Sequence, residues 1–213
     1  FDVTPLLEEI TGFFYGNPDY SDLPRKHKIT VAACAHRCNA PEINCISLVG
    51  VLREGEPGFA VLVGGGLSSV PRLARDLGVW IRPDEALPVL RALLDAWKED
   101  LRYRISRVKA RLKFMVDDRG AAGMREEVER RLGYTLPDFV LPPLDEEPAD
   151  HMGIEPEPRP ATSSIGMPVH LGLVSGEQMI RIAELAEGVG GDVRVTRQQN
   201  FVLTGVPDAE LEA

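Results

Sequence analysis

Between positions 23 and 45 the chain reads LPRKHKITVAACAHRCNAPEINC, which holds Arg25, Lys26 and Lys28 and then all three cysteines, Cys34, Cys38 and Cys45. Cationic side chains gather anions, and thiolates gather metals. In an extended chain, side chains two apart point the same way, so Lys26 and Lys28 can converge on one small anion. Arg25 points oppositely, where its planar fork suits a carboxylate. The same run also fits the solvated basic end of a strand, and spacing alone leaves both readings open. Cys34 and Cys38 stand in a C-x3-C spacing, with Cys45 further on. Three thiolates fall short of the four that a four-iron cluster takes. Zinc could draw on Cys34, His36, Cys38 and Cys45, although neighbouring structural zinc ligands usually form C-x2-C pairs. Buried structural thiols are the alternative.

Two further stretches offer groups to a ligand. VGGGLSS (63–69) follows an apolar run, and its glycines Gly64, Gly65 and Gly66 would let backbone amides approach closely. It lacks the lysine of a phosphate-binding P-loop and the glycine spacing of a dinucleotide fingerprint, so a tight turn fits it as well. In RVTRQQN (194–200), Arg194, Thr196 and Gln198 fall on one face of a strand and Arg197 and Gln199 on the other. Such a row suits a polyanion or a plain exposed sheet face. His170, within an apolar strand, reads as structural.

The surroundings bound these readings. With 213 residues and a formal charge of −9, the protein is long enough for a core and too acidic for general nucleic-acid binding. A local basic run therefore serves something local. No apolar run reaches membrane-helix length and no signal peptide opens the chain. The odd cysteine count argues against a disulfide framework and for a reducing cytoplasm. A start at Phe1 implies processing or a piece of a longer polypeptide.

The elements that must position these residues fall into two units. Thr4–Pro5 caps a helix with Leu6, Leu7, Ile10, Phe13 and Phe14 on its apolar face, ended by Gly16. ITVAA (29–33) reads as a buried strand. Residues 46–66 read as two strands joined at Glu54–Gly58. A helix after Pro83 carries Val89, Leu90, Leu93, Leu94, Trp97 and Leu101 on one face, and RISRVKARLKFMV and GMREEVERRLG read as two more. The first unit is thus a mixed α/β layer of sheet and helices over 1–134. Residues 135–166, dense in proline and acid, suit an extended linker. Over 167–213, MPVHLGLV predicts a strand, Ser175 and Gln178 a capping box, Gly190 a helix stop, and DVRVT and NFVLTGV two strands. That β-α-β-β order is half of a ferredoxin-like fold, and the whole chain is α+β.

DLPRKHKI, EINCISLVGV, FAVLVGGGLSSVPRLA and VRVTRQQNFVLTGVP, taken in order, resemble the assimilatory sulfite and nitrite reductases, which carry a sirohaem coupled to a four-iron (4Fe-4S) cluster. The resemblance implies an internal fragment: the first α/β unit, without the cluster ligands, followed by the second ferredoxin-like half. It implies that Lys26 and Lys28 hold the oxyanion and supply protons, and that Arg25, Gly64, Gly65, Gly66, Arg194, Thr196, Gln199 and Asn200 face the cofactor. Six-electron reduction of sulfite or nitrite adds protons and releases oxygen as water, which cationic donors assist. The cysteines resemble a duplicated echo of the family's cluster pair rather than working ligands. Lysine at 28, where plant-type nitrite reductases tend to carry asparagine, favours sulfite. An electron donor such as ferredoxin and the remainder of the polypeptide are the implied partners. A precorrin-3B synthase-like enzyme and a tetrapyrrole-binding module are the competing readings.

Overall fold

A computed structural model describes residues 1–33, 36–144 and 150–211. The chain divides into two units, Phe1–Asp145 and Glu146–Ala213.

The first unit begins with helix α1 (Thr4–Phe14), whose Pro5 sits in the first turn, where a missing N–H is harmless. Thr4 is not the cap: it is already helical, Val3 precedes it, and Asp2 Oδ1 accepts its amide at 2.9 Å. Four strands follow in one sheet: β1 (Ile29–Ala32), β2 (Ile46–Arg53), β3 (Glu56–Val63) and β4 (Arg75–Ile81). They lie in sequence order, with β1 parallel to β2 and the other pairs antiparallel. The β2–β3 hairpin is tighter than the sequence predicts. Arg53 pairs with Glu56, so Glu54 and Gly55 alone make the turn, both at positive φ as a type I′ turn requires.

Helix α2 (Ala86–Glu99) buries Val89, Leu90, Leu93, Leu94 and Trp97, as its periodicity predicts, and the Trp97 indole donates to Ala110 O at 3.0 Å. Leu101 lies past the helix end and is 71% exposed. The single helix expected over 104–116 is instead broken into α3 (Arg102–Ile105), a 3-10 turn at Arg107–Lys109, and the start of α4 (Leu112–Leu132). Helix α4 is itself interrupted at Gly120, whose φ of 69° and ψ of 172° are not helical. Its first half is tied to the sheet through Asp117, which pairs with Arg72 at 3.0 Å and Arg75 at 3.1 Å. Its second half is tied through Arg125, which pairs with Asp138 and donates to Leu136 O. Leu112, Met115, Val116, Met124 and Val128 from α4 close the core over the α2 side chains and the strand residues Leu48, Phe59 and Ile81.

The stretch expected to be a linker is structured in two ways. Residues 136–141 run beside β4, with Trp80 N donating to Pro137 O and Phe139 N to Gly78 O. Beyond the undescribed residues 145–149, β5 (Gly153–Pro156) and β6 (Thr162–Met167) form an antiparallel pair. Its prolines sit at the end of β5 and in the 157–161 connection, where no ladder amide is lost. The strand expected at 167–174 ends at Met167. A 3-10 turn at His170–Gly172 replaces it, with Leu171 at φ 54°, and His170 is exposed.

Helix α5 (Gly176–Val189) carries the predicted capping box, with Gln178 N donating to Ser175 Oγ and Ser175 N to Gln178 Oε1, and Gly190 ends it at φ 68°. Strands β7 (Asp192–Val195) and β8 (Phe201–Pro207) complete a sheet of order β5-β6-β8-β7. The architecture is α+β, and the predicted β-α-β-β order holds with β6 as the first strand and β5 added at the edge. Among the described residues no helix is long and apolar enough to cross a membrane.

Candidate functional site

Residues 23–28 approach β1 as irregular chain and join the sheet at Lys28, whose carbonyl accepts from Cys45 N at 3.1 Å and Ile46 N at 3.2 Å. This alignment decides which side chains are presented. His27 turns inward, its ring 5.5 Å from that of Trp97, with both ring nitrogens buried and unbonded. Burial, and after it the charge of Arg111, push its pKa down to about 3, so the imidazole is neutral. Arg25 and Lys26 are exposed. Lys28 is half-buried, and its ammonium donates to Ile43 O at 3.2 Å.

Arg25 lines a cavity of about 280 Å³ together with Ser68, Ser69, Arg107, Val108 and Arg111. Three guanidiniums and two hydroxyls line it, and among the described residues no carboxylate does. Arg111 donates to the buried Cys45 sulfur at 3.2 Å, and its Nε is buried with no partner. Neither Lys26 nor Lys28 lines this cavity.

The glycine run leads to the same place by shape. Gly64, at φ +87°, passes so close to Val116 that a Cβ would lie 2.9 Å from it, and a Cβ on Gly65 would lie 2.4 Å from Glu42 O. The space beside Gly66 is bounded by Arg111 Nη2, 3.1 Å from where a Cβ would stand. The Gly64 amide already donates to Cys45 O, and Gly66 exchanges two hydrogen bonds with Arg72. These glycines therefore bring the chain close to α4, while Ser68 and Ser69 supply the polar edge.

In the second unit β7 ends at Val195, so Thr196–Asn200 is a turn and Arg194, Thr196 and Gln198 do not share a strand face. Asn200 N donates to Thr196 Oγ1, and Val169 N donates to Asn200 Oδ1. Gln199 sits at φ 66° and is exposed, as is Arg194, which lies 3.9 Å from Asp192. Among the cysteines, Cys34 lies outside the described residues, Cys38 is half-buried and Cys45 is buried. Among the described residues no three His, Cys, Asp or Glu side chains gather as a metal site.

Arg107 and Arg111 are the residues that sequence reasoning missed. RVKARLK reads as one basic helix surface, but four-residue spacing of two arginines in so acidic a protein is the signal that singles them out.

The family model for the nitrite and sulphite reductase 4Fe-4S domain matches residues 1–136, and that for the nitrite/sulfite reductase ferredoxin-like half domain matches 156–213. The chain belongs to the nitrite and sulfite reductase family. It is 36% identical over 214 residues to a sulfite reductase (ferredoxin) of Mycobacterium tuberculosis, covering 99% of this chain and 38% of that protein. It is 32% identical over 216 residues to a chloroplastic ferredoxin–nitrite reductase of Oryza sativa subsp. japonica, covering 98% and 36%. The solved Mycobacterium tuberculosis NirA protein superposes with a TM-score of 0.89 at 36% identity, over 99% of this chain and 38% of that one. The chain thus spans about two fifths of the length of these relatives.

Proposed function

We propose that this chain supplies the anion-binding wall of a sirohaem-dependent reductase that converts sulfite to sulfide or nitrite to ammonia. The observation that carries the reading is the cavity lined by Arg25, Arg107 and Arg111, with no carboxylate lining it among the described residues. Three fixed positive charges repel one another unless an anion lies between them. The unpartnered Arg111 Nε and the two serine hydroxyls beside the guanidiniums suit a carboxylate-bearing group such as a tetrapyrrole. When bound, the sirohaem and its cluster supply the electrons.

The chain's own side chains do the rest. Arg25, Arg107 and Arg111 grip carboxylates, for which their planar forks suit bidentate bonds. Lys26, exposed beside Arg25, holds the substrate oxyanion and offers a proton from Nζ. Lys28 adds a second ammonium, of whose three N–H donors one is engaged by Ile43 O. A second cation stabilises partly dianionic sulfite more than monoanionic nitrite, so sulfite is the preferred substrate. The donor is a ferredoxin, named for both kinds of relative.

The test is the absorption spectrum of the protein with its cofactors, recorded as sulfite and then nitrite is added. Sirohaem bands that shift with both anions, and are lost in Arg111→Ala, are expected. A protein that takes up no tetrapyrrole would overturn the reading.

A further inference from the structure

Lys113 is where a lysine should not be. It is 2% exposed, in the first turn of α4, where the helix dipole disfavours a cation. That turn holds no acidic residue, and among the described residues no carboxylate pairs with Lys113. Burial, followed by the charges of Arg111 and Arg72, holds its pKa below the ordinary lysine value. Asp117, one turn on, is already shared by Arg72 and Arg75. The lysine is held in spite of all this by two hydrogen bonds to one short loop: Nζ donates to Ser68 Oγ at 2.8 Å and to Val70 O at 2.5 Å.

That loop forms one edge of the arginine cavity, since Ser68 and Ser69 line it. Its two ends are closed on each other by the Gly66–Arg72 bridge, and Arg72 is in turn tied to Asp117. Every described tie from the loop to α4 therefore comes from Lys113 or Asp117, and Arg111 immediately precedes the same helix. Lys113 itself does not line the cavity. It acts on the loop and, through its charge, on whatever the loop faces.

We propose that Lys113 is the positioning residue of the arginine cavity: it fixes Ser68–Val70 opposite Arg111 and leaves a buried positive charge that a polycarboxylate in the cavity balances. The inference rests on reading that cavity as a carboxylate site. It assigns the geometry of the site to a residue that touches neither substrate nor cofactor.

The experiment measures binding of benzene-1,2,4,5-tetracarboxylate to the purified protein by calorimetry, together with amide exchange of residues 66–72. Lys113→Met keeps the length and apolarity of the stem and removes the donor and the charge. It should weaken the probe about tenfold, the low end for losing one charge-assisted hydrogen bond. Exchange at 68–70 should quicken while the strands stay protected, and Lys113→Arg should recover part of the affinity. Ser68→Ala, which spares the buried charge, should quicken the same amides with a smaller loss of affinity, and it serves if Lys113→Met does not fold. Unchanged affinity and exchange in folded Lys113→Met, or in Ser68→Ala where that variant stands in, while Arg111→Ala still weakens the probe, would overturn the role of Lys113 and leave the cavity standing. An unmutated protein that fails to bind the probe, or Arg111→Ala that binds it as well as before, would overturn the cavity and Lys113 with it.

Discussion

The guanidinium of Arg111 donates through Nη2 to the sulfur of Cys45 at 3.2 Å, linking the residue before α4 to the residue before β2. One edge of the guanidinium is thereby fixed from beneath. The thiol is only 1% exposed, so in this structure it serves as a polarizable seat for a cation.

Replacing that seat should loosen both fold and site. Cys45→Ala leaves a small void in the core and frees Arg111, and should lower stability by about 1–2 kcal/mol. Urea denaturation reads the loss, and carboxylate-probe affinity should fall a few-fold. An unchanged unfolding midpoint would show the sulfur to be dispensable.

Lys26→Ala and Lys28→Ala should cripple turnover of the cofactor-loaded enzyme by roughly 30- to 1000-fold, the range for losing a charge-assisted bond that forms at the transition state. Their sirohaem content should stay near normal, since neither lines the arginine cavity. Lys28→Asn should lower the specificity constant for sulfite more than that for nitrite. Equal falls for the two anions would remove the basis for preferring sulfite.

Gly64→Ala and Gly66→Ala should behave differently although they are two residues apart. A Cβ on Gly64 is strained by its φ of +87° and lies 2.9 Å from Val116, so the variant should lose more than about 1 kcal/mol of stability. On Gly66 the Cβ meets Arg111 Nη2 at 3.1 Å and Lys113 Cδ at an ordinary 3.9 Å, both side-chain atoms rather than backbone. That variant should fold normally and bind the carboxylate probe less tightly. Thermal melts and probe titrations of the pair separate shape from function, and similar melts would contradict the assignment.

His27 should make the fold acid-sensitive. Its folded pKa of about 3 lies below the ordinary value of 6.5, so between those limits the unfolded chain binds more protons. Stability is therefore complete above pH 6.5 and declines as the pH falls toward 3, by at most about 1.4 kcal/mol per pH unit. His27→Phe keeps a ring against Trp97 and should flatten that slope, as followed by urea denaturation from pH 4 to 8. The same slope in the variant would mean that other groups account for it.

Much of this was legible where the determinants are local. The buried stripe of α2 follows from the spacing of Val89, Leu90, Leu93, Leu94 and Trp97, and the start and stop of α5 from Ser175, Gln178 and Gly190. Pairing across distance was not. Strands β5 and β6 carry so many prolines nearby that their segment reads as linker, and only the ladders of β5 on β6 and of β6 on β8 make them strands. The end of β7 at Val195 is set by the Thr196–Asn200 hydrogen bonds, which no alternation pattern reveals. In the candidate site, the basic run pointed to Arg25, and family resemblance implied the roles proposed for Lys26 and Lys28. The rest of the cavity, Arg107 and Arg111, arrives from more than eighty residues away because α3 and α4 are not the single helix their composition suggests.

That interruption has a mechanical side. Gly120 cuts α4 into a front piece fastened to the loop edge through Lys113 and Asp117, and a rear piece fastened beside β4 through Arg125. An unbroken rod would transmit every twist of one end to the other. A rod broken at Gly120 does not, so the front piece takes its direction from the loop edge and the rear piece from β4, each with its own side chains in the core.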